Sequence, residues 1–359
     1  MNSFSRSFLN EDWKAMPDAP RCYLSGFGKH PAWNDHLDDI GLVTASLIEA
    51  RRILYGGIAQ QIESAAWERA GADKVAPVFD HIIYWRRPEE SLTGVIWSSR
   101  DGKGRSLYPM LLIAHCVSQP YSWVAREVLP ALAAAAAKCR STTSAEDVIA
   151  TLNDTQQSLR SRTLPSSPPD AQTGVAAWAR FFAGDQTALR RILHHLRGNM
   201  VSFAPGSNDW CAGENQARSA RVRLPQIPGA KPAESLHAWL AFFESQLDAT
   251  VPILGLLPAD GNWLDIVVGE PAPADFFVLR ALPTSVPLVT DIPYQLDAAV
   301  QTGWNGLMAD VVSGRLPSVS CLNGEAAETN RDAAAKRLAR FRSSTRTGFF
   351  GRFRSSAGQ

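Results

Sequence analysis

Val78–Cys116 reads VFDHIIYWRRPEESLTGVIWSSRDGKGRSLYPMLLIAHC. Three runs in it, Val78–Arg86, Leu92–Ser98 and Tyr108–Cys116, are rich in β-branched, aromatic and aliphatic residues. That composition suits pleated, half-buried backbone. Glu89-Glu90-Ser91 is a hairpin-length turn between the first two runs. Arg100–Arg105, with Gly102 and Gly104, is the loop before the third. The third run is continuously apolar, as expected for a central strand. The three are expected side by side in one sheet.

Upstream, Leu42, Leu47, Ile48, Ile53, Leu54, Ile58, Ile62 and Trp67 recur near helical spacing. They predict a helix over 42–70 packed on one face of the sheet. Gly56-Gly57 weakens it by about 1 kcal/mol per glycine. Downstream, helices are predicted over Trp123–Cys139 and, capped by Ser144, over 145–160. Leu164-Pro165-Ser166-Ser167-Pro168-Pro169 can continue neither a helix nor a strand ladder and marks a boundary. Beyond it come helices at 173–183 and 185–197, and a loop-rich stretch at 204–232. Then follow a helix (Glu234–Leu247), three strands (Val251–Leu257, Trp263–Val268, Phe276–Leu282) and a helix (Leu296–Val312). Helix, three-strand meander, helix thus occurs twice, although the halves do not align residue by residue. The expected fold is α/β of the mixed α+β kind, a largely antiparallel sheet flanked by helices. The expected divisions are a mobile leader at 1–20, an α/β domain at 21–162, a linker at 163–172, a second α+β domain at 173–315 and a basic tail at 316–359.

Hydrophobic residues make up 45% of the 359 and charged residues 20%, enough apolar material for a sizeable core. From Arg331 onward eight basic residues face one acid, a tail of +7, so the rest of the chain carries −6 of the overall +1. An acidic body lacks the basic surface that nucleic-acid binding needs. Ala333–Ala335, Leu338 and Phe341 give 326–342 a helix-forming composition. Phe349, Phe350 and Phe353 then lie among Arg346, Arg352 and Arg354. The tail reads either as a solvated extension or as a docking arm for an acidic partner, an acidic membrane surface or the chain's own acidic body. Five widely spaced cysteines (Cys22, Cys116, Cys139, Cys211, Cys321) without a C-x-x-C fit buried free thiols in a reducing cytoplasm. Met1–Pro20 lacks the apolar core of a signal peptide. The longest apolar runs, Ala131–Ala137 and Val251–Leu257, are far shorter than a membrane span of roughly 20 residues.

Two segments carry candidate chemistry. Gly26-Phe27-Gly28-Lys29-His30-Pro31-Ala32-Trp33-Asn34-Asp35-His36 offers a Gly-Lys pair, but not the G-x-x-x-x-G-K-[ST] spacing of a phosphate loop. His30, His36, Asp35, Asp38 and Asp39 are metal-ligating residue types, without the H-E-x-x-H spacing. They read as solvated loop acids beside a structural histidine, or as the site of a metal-assisted hydrolase using His30, Asp35 and His36. The second segment, Ser98–Met110, places Asp101 and Arg105 across a glycine turn, where they are able to pair or to recognise a carboxylate. No G-x-S-x-G elbow occurs. His194-His195 falls late in a helix, where a cation complements the dipole. Cys116, at the end of an apolar run, reads as an inert buried thiol. No cofactor is expected.

At these two segments the chain resembles the TagF family, accessory proteins of the bacterial type VI secretion system. Gly26, Phe27, Gly28, Lys29, Pro31 and Asp35 follow most of a pattern like G-x-x-G-K-x-P-x-x-x-D, with one residue fewer between the glycines. Trp33 lies inside it. Asp101, Gly104, Arg105, Tyr108 and Pro109 match D-x-x-G-R-x-[FY]-P, with one extra residue before Tyr108. The resemblance covers roughly residues 22–140. It implies a longin- or profilin-like domain, no catalysis, and post-translational restraint of secretion-system assembly through a forkhead-associated scaffold protein. It also implies that Lys29–Asp35 and Asp101–Tyr108 open onto the same end of the sheet. A purely structural assembly component is the remaining alternative.

Overall fold

The computed structural model describes residues 21–162, 186–200, 203, 219–227, 230–248 and 250–293. The expected leader, linker, basic tail and the helices at 173–183 and Leu296–Val312 lie outside these residues, as do Cys211 and Cys321. The first part contains β1 (Arg21–Lys29), β2 (His36–Ile40), α1 (Ala45–Glu63), α2 (Ala66–Ala70), β3 (Asp80–Arg87), β4 (Glu90–Trp97) and β5 (Met110–Val117). A helical stretch follows: α3 (Tyr121–Trp123), a π turn (Val124–Val128) and α4 (Leu129–Ser141), then α5 (Ala145–Arg160). The second part contains α6 (Gln186–Met200), β6 (Ser219–Pro225), α7 (Pro232–Gln246), β7 (Ile253–Pro258), β8 (Trp263–Gly269) and a 3-10 helix (Pro273–Leu279).

All eight strands join one antiparallel sheet in the order β2-β1-β5-β4-β3-β7-β8-β6. The fold is mixed α+β. The expected division between 21–162 and 173–315 is a division of the sequence only, because β7 pairs with β3 from Arg86↔Ile253 to His81↔Pro258 and makes the sheet continuous. Both faces are covered. Along β5, Met110, Leu112, Ala114 and Cys116 belong to one core with residues of α4, α5, α6 and α7. Leu111 and Ile113 belong to the other, with α1, α2 and the 3-10 helix. A strand buried on both faces has no polar side to alternate with, hence its unbroken apolar run.

Four local readings are corrected. The β3–β4 turn is Pro88-Glu89, with Glu89 at φ 60, and Glu90 and Ser91 already belong to β4. The helix expected over 42–70 is two helices, broken at Ala65 in the left-handed region (φ 50). Val222–Leu224, inside the stretch expected to be loop-rich, belongs to strand β6. The strand expected at Phe276–Leu282 is largely the 3-10 helix: Pro273 sits in its first turn, and the Asp275 carboxylate accepts the Ala272 amide at 2.8 Å. The second three-strand meander therefore stops at two strands. Gly57, which weakens α1 by propensity, is where the Phe276 ring packs, and a Cβ there would overlap the ring. Thr44 and Ser144 cap α1 and α5, accepting the amides of Leu47 and Asp147.

Candidate functional site

Strand β1 ends where β5 begins. Gly28 lies opposite Met110, and the Lys29 amide donates to the Pro109 carbonyl at 3.3 Å. Gly28 has φ +123, with the Pro109 carbonyl and the Tyr55 hydroxyl packed where a side chain would start. Tyr55 donates to that same carbonyl at 2.6 Å and stacks on Tyr108, which meets His36 edge-on. Lys29, the next residue, is buried.

There, Lys29 Nζ lies 2.9 Å from Asp101 Oδ2 and 3.0 Å from Asp35 Oδ1. The Lys29 side chain is 5% exposed, that of Asp101 0% and that of Asp35 71%. Arg105 closes the network: its Nε is 2.7 Å from Asp101 Oδ2, and one terminal nitrogen is 3.3 Å from Asp35 Oδ1 and 2.8 Å from the Asn34 carbonyl. The other Asp101 oxygen accepts the amides of Lys103 and Arg105, and the Gly104 amide donates to the Asp101 carbonyl, tightening the turn. Burial opposes ionisation of Asp101, but Lys29, the two amides and Arg105 outweigh it and hold its carboxyl below the usual range. Hydrogen bonds from Lys29, then His36, hold Asp35 at about 2. With two carboxylates on it, the Lys29 ammonium is a buried cross-link and is not presented to a phosphate.

Trp33 and Pro31 extend the same junction. The Trp33 carbonyl accepts the Gly102 amide at 2.7 Å, and its ring meets His30 edge-on. His30 is buried, with Nδ1 accepting the Ala32 amide at 3.1 Å and Nε2 donating to the Cys139 carbonyl at 2.9 Å. Both ring nitrogens are thus engaged, and burial lowers the imidazole's pKa. Gly28, Lys29, Pro31, Trp33 and Asp35 of the first segment thus gather with Asp101, Gly104, Arg105, Tyr108 and Pro109 of the second at one end of the sheet. Among the described residues no group of three or more His, Cys, Asp or Glu side chains is placed to hold a metal ion.

Beside the network lies an open cleft of about 630 Å³, walled by His30 and Pro31, by Val78–Asp80 of the β3 approach, by Trp97–Arg100 after β4, by Ser106, and by Cys139–Thr143 at the end of α4. Arg140 lies over Trp97, 5.1 Å from the ring centroid, and bonds Asp80 at 3.0 Å. The sequence reading missed Trp97 and Arg140. Trp-Ser-Ser-Arg running into Asp101 was a signal for the first; nothing local marks the second, which arrives on a distant helix.

At the opposite end of the sheet, His115 lies between Glu90 Oε2 (2.8 Å) and Thr44 Oγ1 (3.1 Å), and Ser46 also donates to Glu90. This ties the start of α1 to β4 and β5. Cys22 and Cys116 face each other across β1 and β5, with their sulfurs 3.3 Å apart, and Cys139 is also buried and unpaired. The hydrogen bond with Cys22, then burial, raises the Cys116 thiol well above its ordinary value, opposite to what a nucleophile needs. In the second half, Arg223 and Asp265 form a fully buried pair, 2.7 and 2.9 Å apart at two contacts. Among the described residues no helix is long and apolar enough to cross a membrane.

The buried histidines set an acid limit. Burial lowers His30, His81, His115 and His237, with His81 down to about 3. Their folded pKa values lie below the unfolded value near 6.5, so the unfolded chain takes up protons first as pH falls. The stabilisation is complete above about pH 6.5 and is lost progressively below it, at up to about 2 kcal/mol for His81 by pH 5. Melting temperature is expected to fall steadily from pH 7.5 to pH 5; an unchanged value would contradict the assignment of these imidazoles as neutral and buried.

The fold is mixed α+β, and at this junction Lys29, Asp35, Asp101 and Arg105 cross-link two segments of the chain. No family model matches the chain, and no characterised protein matches it in sequence. A solved structure with some likeness is the crystal structure of PA0076 from Pseudomonas aeruginosa PAO1. It is 14% identical, with 72% of this chain and 94% of that one covered, at a TM-score of 0.35; a likeness at that score supports no inference of function.

Proposed function

We propose that this chain is a non-enzymatic regulatory binding protein that, like the TagF family it resembles, restrains type VI secretion system assembly post-translationally. It acts in the cytoplasm through contact with a protein partner, a forkhead-associated scaffold protein in the reading the resemblance implies. The observation that carries this is the junction itself. The two segments on which the resemblance rests, 72 residues apart at Lys29 and Asp101, meet in one ion network at one end of the sheet. The residues within them are spent on holding a surface in shape. His30, with both nitrogens bonded to backbone, has no lone pair to give a metal, which favours binding over metal-assisted hydrolysis by His30, Asp35 and His36. Deleting the gene in the bacterium that carries it should increase release of secretion-tube protein into the medium, and overexpression should reduce it at unchanged intracellular level. Equal release from all three strains would overturn the reading.

A further inference from the structure

The geometry points to the cleft beside the ion network as the seat of an extended, acidic segment of a partner protein, with an apolar side chain anchored against Trp97. This rests on the binding reading above and adds the chemistry of what is bound.

Three features carry it. The first is size and lining: about 630 Å³ is ample for a few residues of extended chain, and Phe79 and Trp97 form an apolar floor. The second is the rim. Only four large hydrophobic side chains are strongly exposed among the described residues, and two of them border this region: Val78 (51%), in the cleft wall, and Leu107 (63%), next to the lining residue Ser106. Exposed apolar side chains beside a cleft suit a macromolecular partner more than a small molecule, which would leave them wet. The third is charge. Lys29, Arg105 and Arg140 each have a carboxylate partner. Arg100, exposed in the cleft wall, and Lys103, exposed in the same loop, have none among the described residues. The one acid in the wall, Asp80, is already held by Arg140. The cleft therefore presents unpaired positive charge on a chain whose body is acidic overall, and a carboxylate-bearing segment complements it. An extended segment, with alternate side chains facing in and out, places an apolar residue on Trp97 while its neighbours reach Arg100.

The test uses the full chain and fluorescein-labelled decapeptides of alternating sequence, (Glu-Leu)5 and (Lys-Leu)5, followed by anisotropy at 0.15 M salt. The acidic peptide is expected to bind at least tenfold more tightly than the basic one. Arg100→Glu should weaken the acidic peptide at least tenfold and narrow or reverse the preference. Val78→Ser should weaken both peptides severalfold. Arg352→Glu with Arg354→Glu, in the basic tail, controls for attraction elsewhere and should have less than a twofold effect. Binding that follows the tail charges and ignores Arg100 overturns the proposal, as does equal affinity for the two peptides. If the peptide results hold while gene deletion leaves secretion unchanged, the cleft stands and the secretion reading falls. If deletion changes secretion but Arg100→Glu alters neither peptide binding nor restraint, the cleft proposal falls and the secretion reading stands.

Discussion

Replacing Gly28 by alanine is expected to cost roughly 2–6 kcal/mol, a large part of the usual total stability of about 5–15 kcal/mol. Two costs combine. At φ +123 any L-residue is strained, worth about 1–3 kcal/mol. The added methyl would also overlap the Pro109 carbonyl and the Tyr55 hydroxyl and lie 2.9 Å from Met110 Cα, an overpacking cost of about 1–3 kcal/mol. Tyr55 can swing aside, but Pro109 cannot, because its carbonyl is fixed by the Lys29 amide at the β1–β5 junction. Gly56→Ala is the contrast. Nothing lies within 4 Å of its would-be Cβ, so the substitution should stabilise by about 0.5–1 kcal/mol through helix propensity. Urea unfolding of both variants checks the pair; a Gly28→Ala protein within 1 kcal/mol of the parent would show that the backbones do not approach as described.

Lys29→Met should have the next largest effect, about 3–5 kcal/mol, because it leaves the Asp101 carboxylate buried with part of its positive charge gone. Arg105 and two amides still hold Asp101, which places the loss toward the lower end of that range. Adding Asp101→Asn removes the stranded charge while keeping an acceptor for the amides. The double variant should be more stable than the sum of the two single losses by about 1–3 kcal/mol. Additive losses would mean that Lys29 and Asp101 do not interact, and the two loops would then not be cross-linked through the core.

How much of this was legible in the sequence depended on range. The strands β3, β4 and β5 could be read because their composition is β-branched and aromatic, and because β5, buried on both faces, has no polar alternation. Ser144 announced α5 through ordinary capping chemistry. Strand β1 was hidden by Gly26 and Gly28, which dilute its β-forming composition and are places where neighbouring elements crowd the backbone. β6 was hidden by Arg221 and Arg223; only the partner Asp265, on a strand 42 residues away, makes a buried arginine there acceptable. The apolar run at Phe276 looked like a strand, and the signal against it was the Pro-Ala-Asp just before. The joining of the halves through β3 and β7 is non-local and left no local mark. At the site, the Asp101–Arg105 pair could be named and is present at 2.7 Å; what could not be read was that Asp101 is buried and shared with Lys29.

If the proposed function is right, the surface held by this network performs its restraining role through contact. Asp35→Ala tests it most directly. Asp35 is 71% exposed, and Lys29 keeps Asp101 without it, so the melting temperature should stay close to the parent's. In a strain lacking the gene, release of secretion-tube protein would be measured after complementation with the parent chain or with Asp35→Ala, at matched intracellular levels and with melting temperatures compared. The parent is expected to restore restraint, and Asp35→Ala, though folded, to restore less than about half of it. Full restoration by Asp35→Ala and by Arg105→Ala alike would contradict the proposed function.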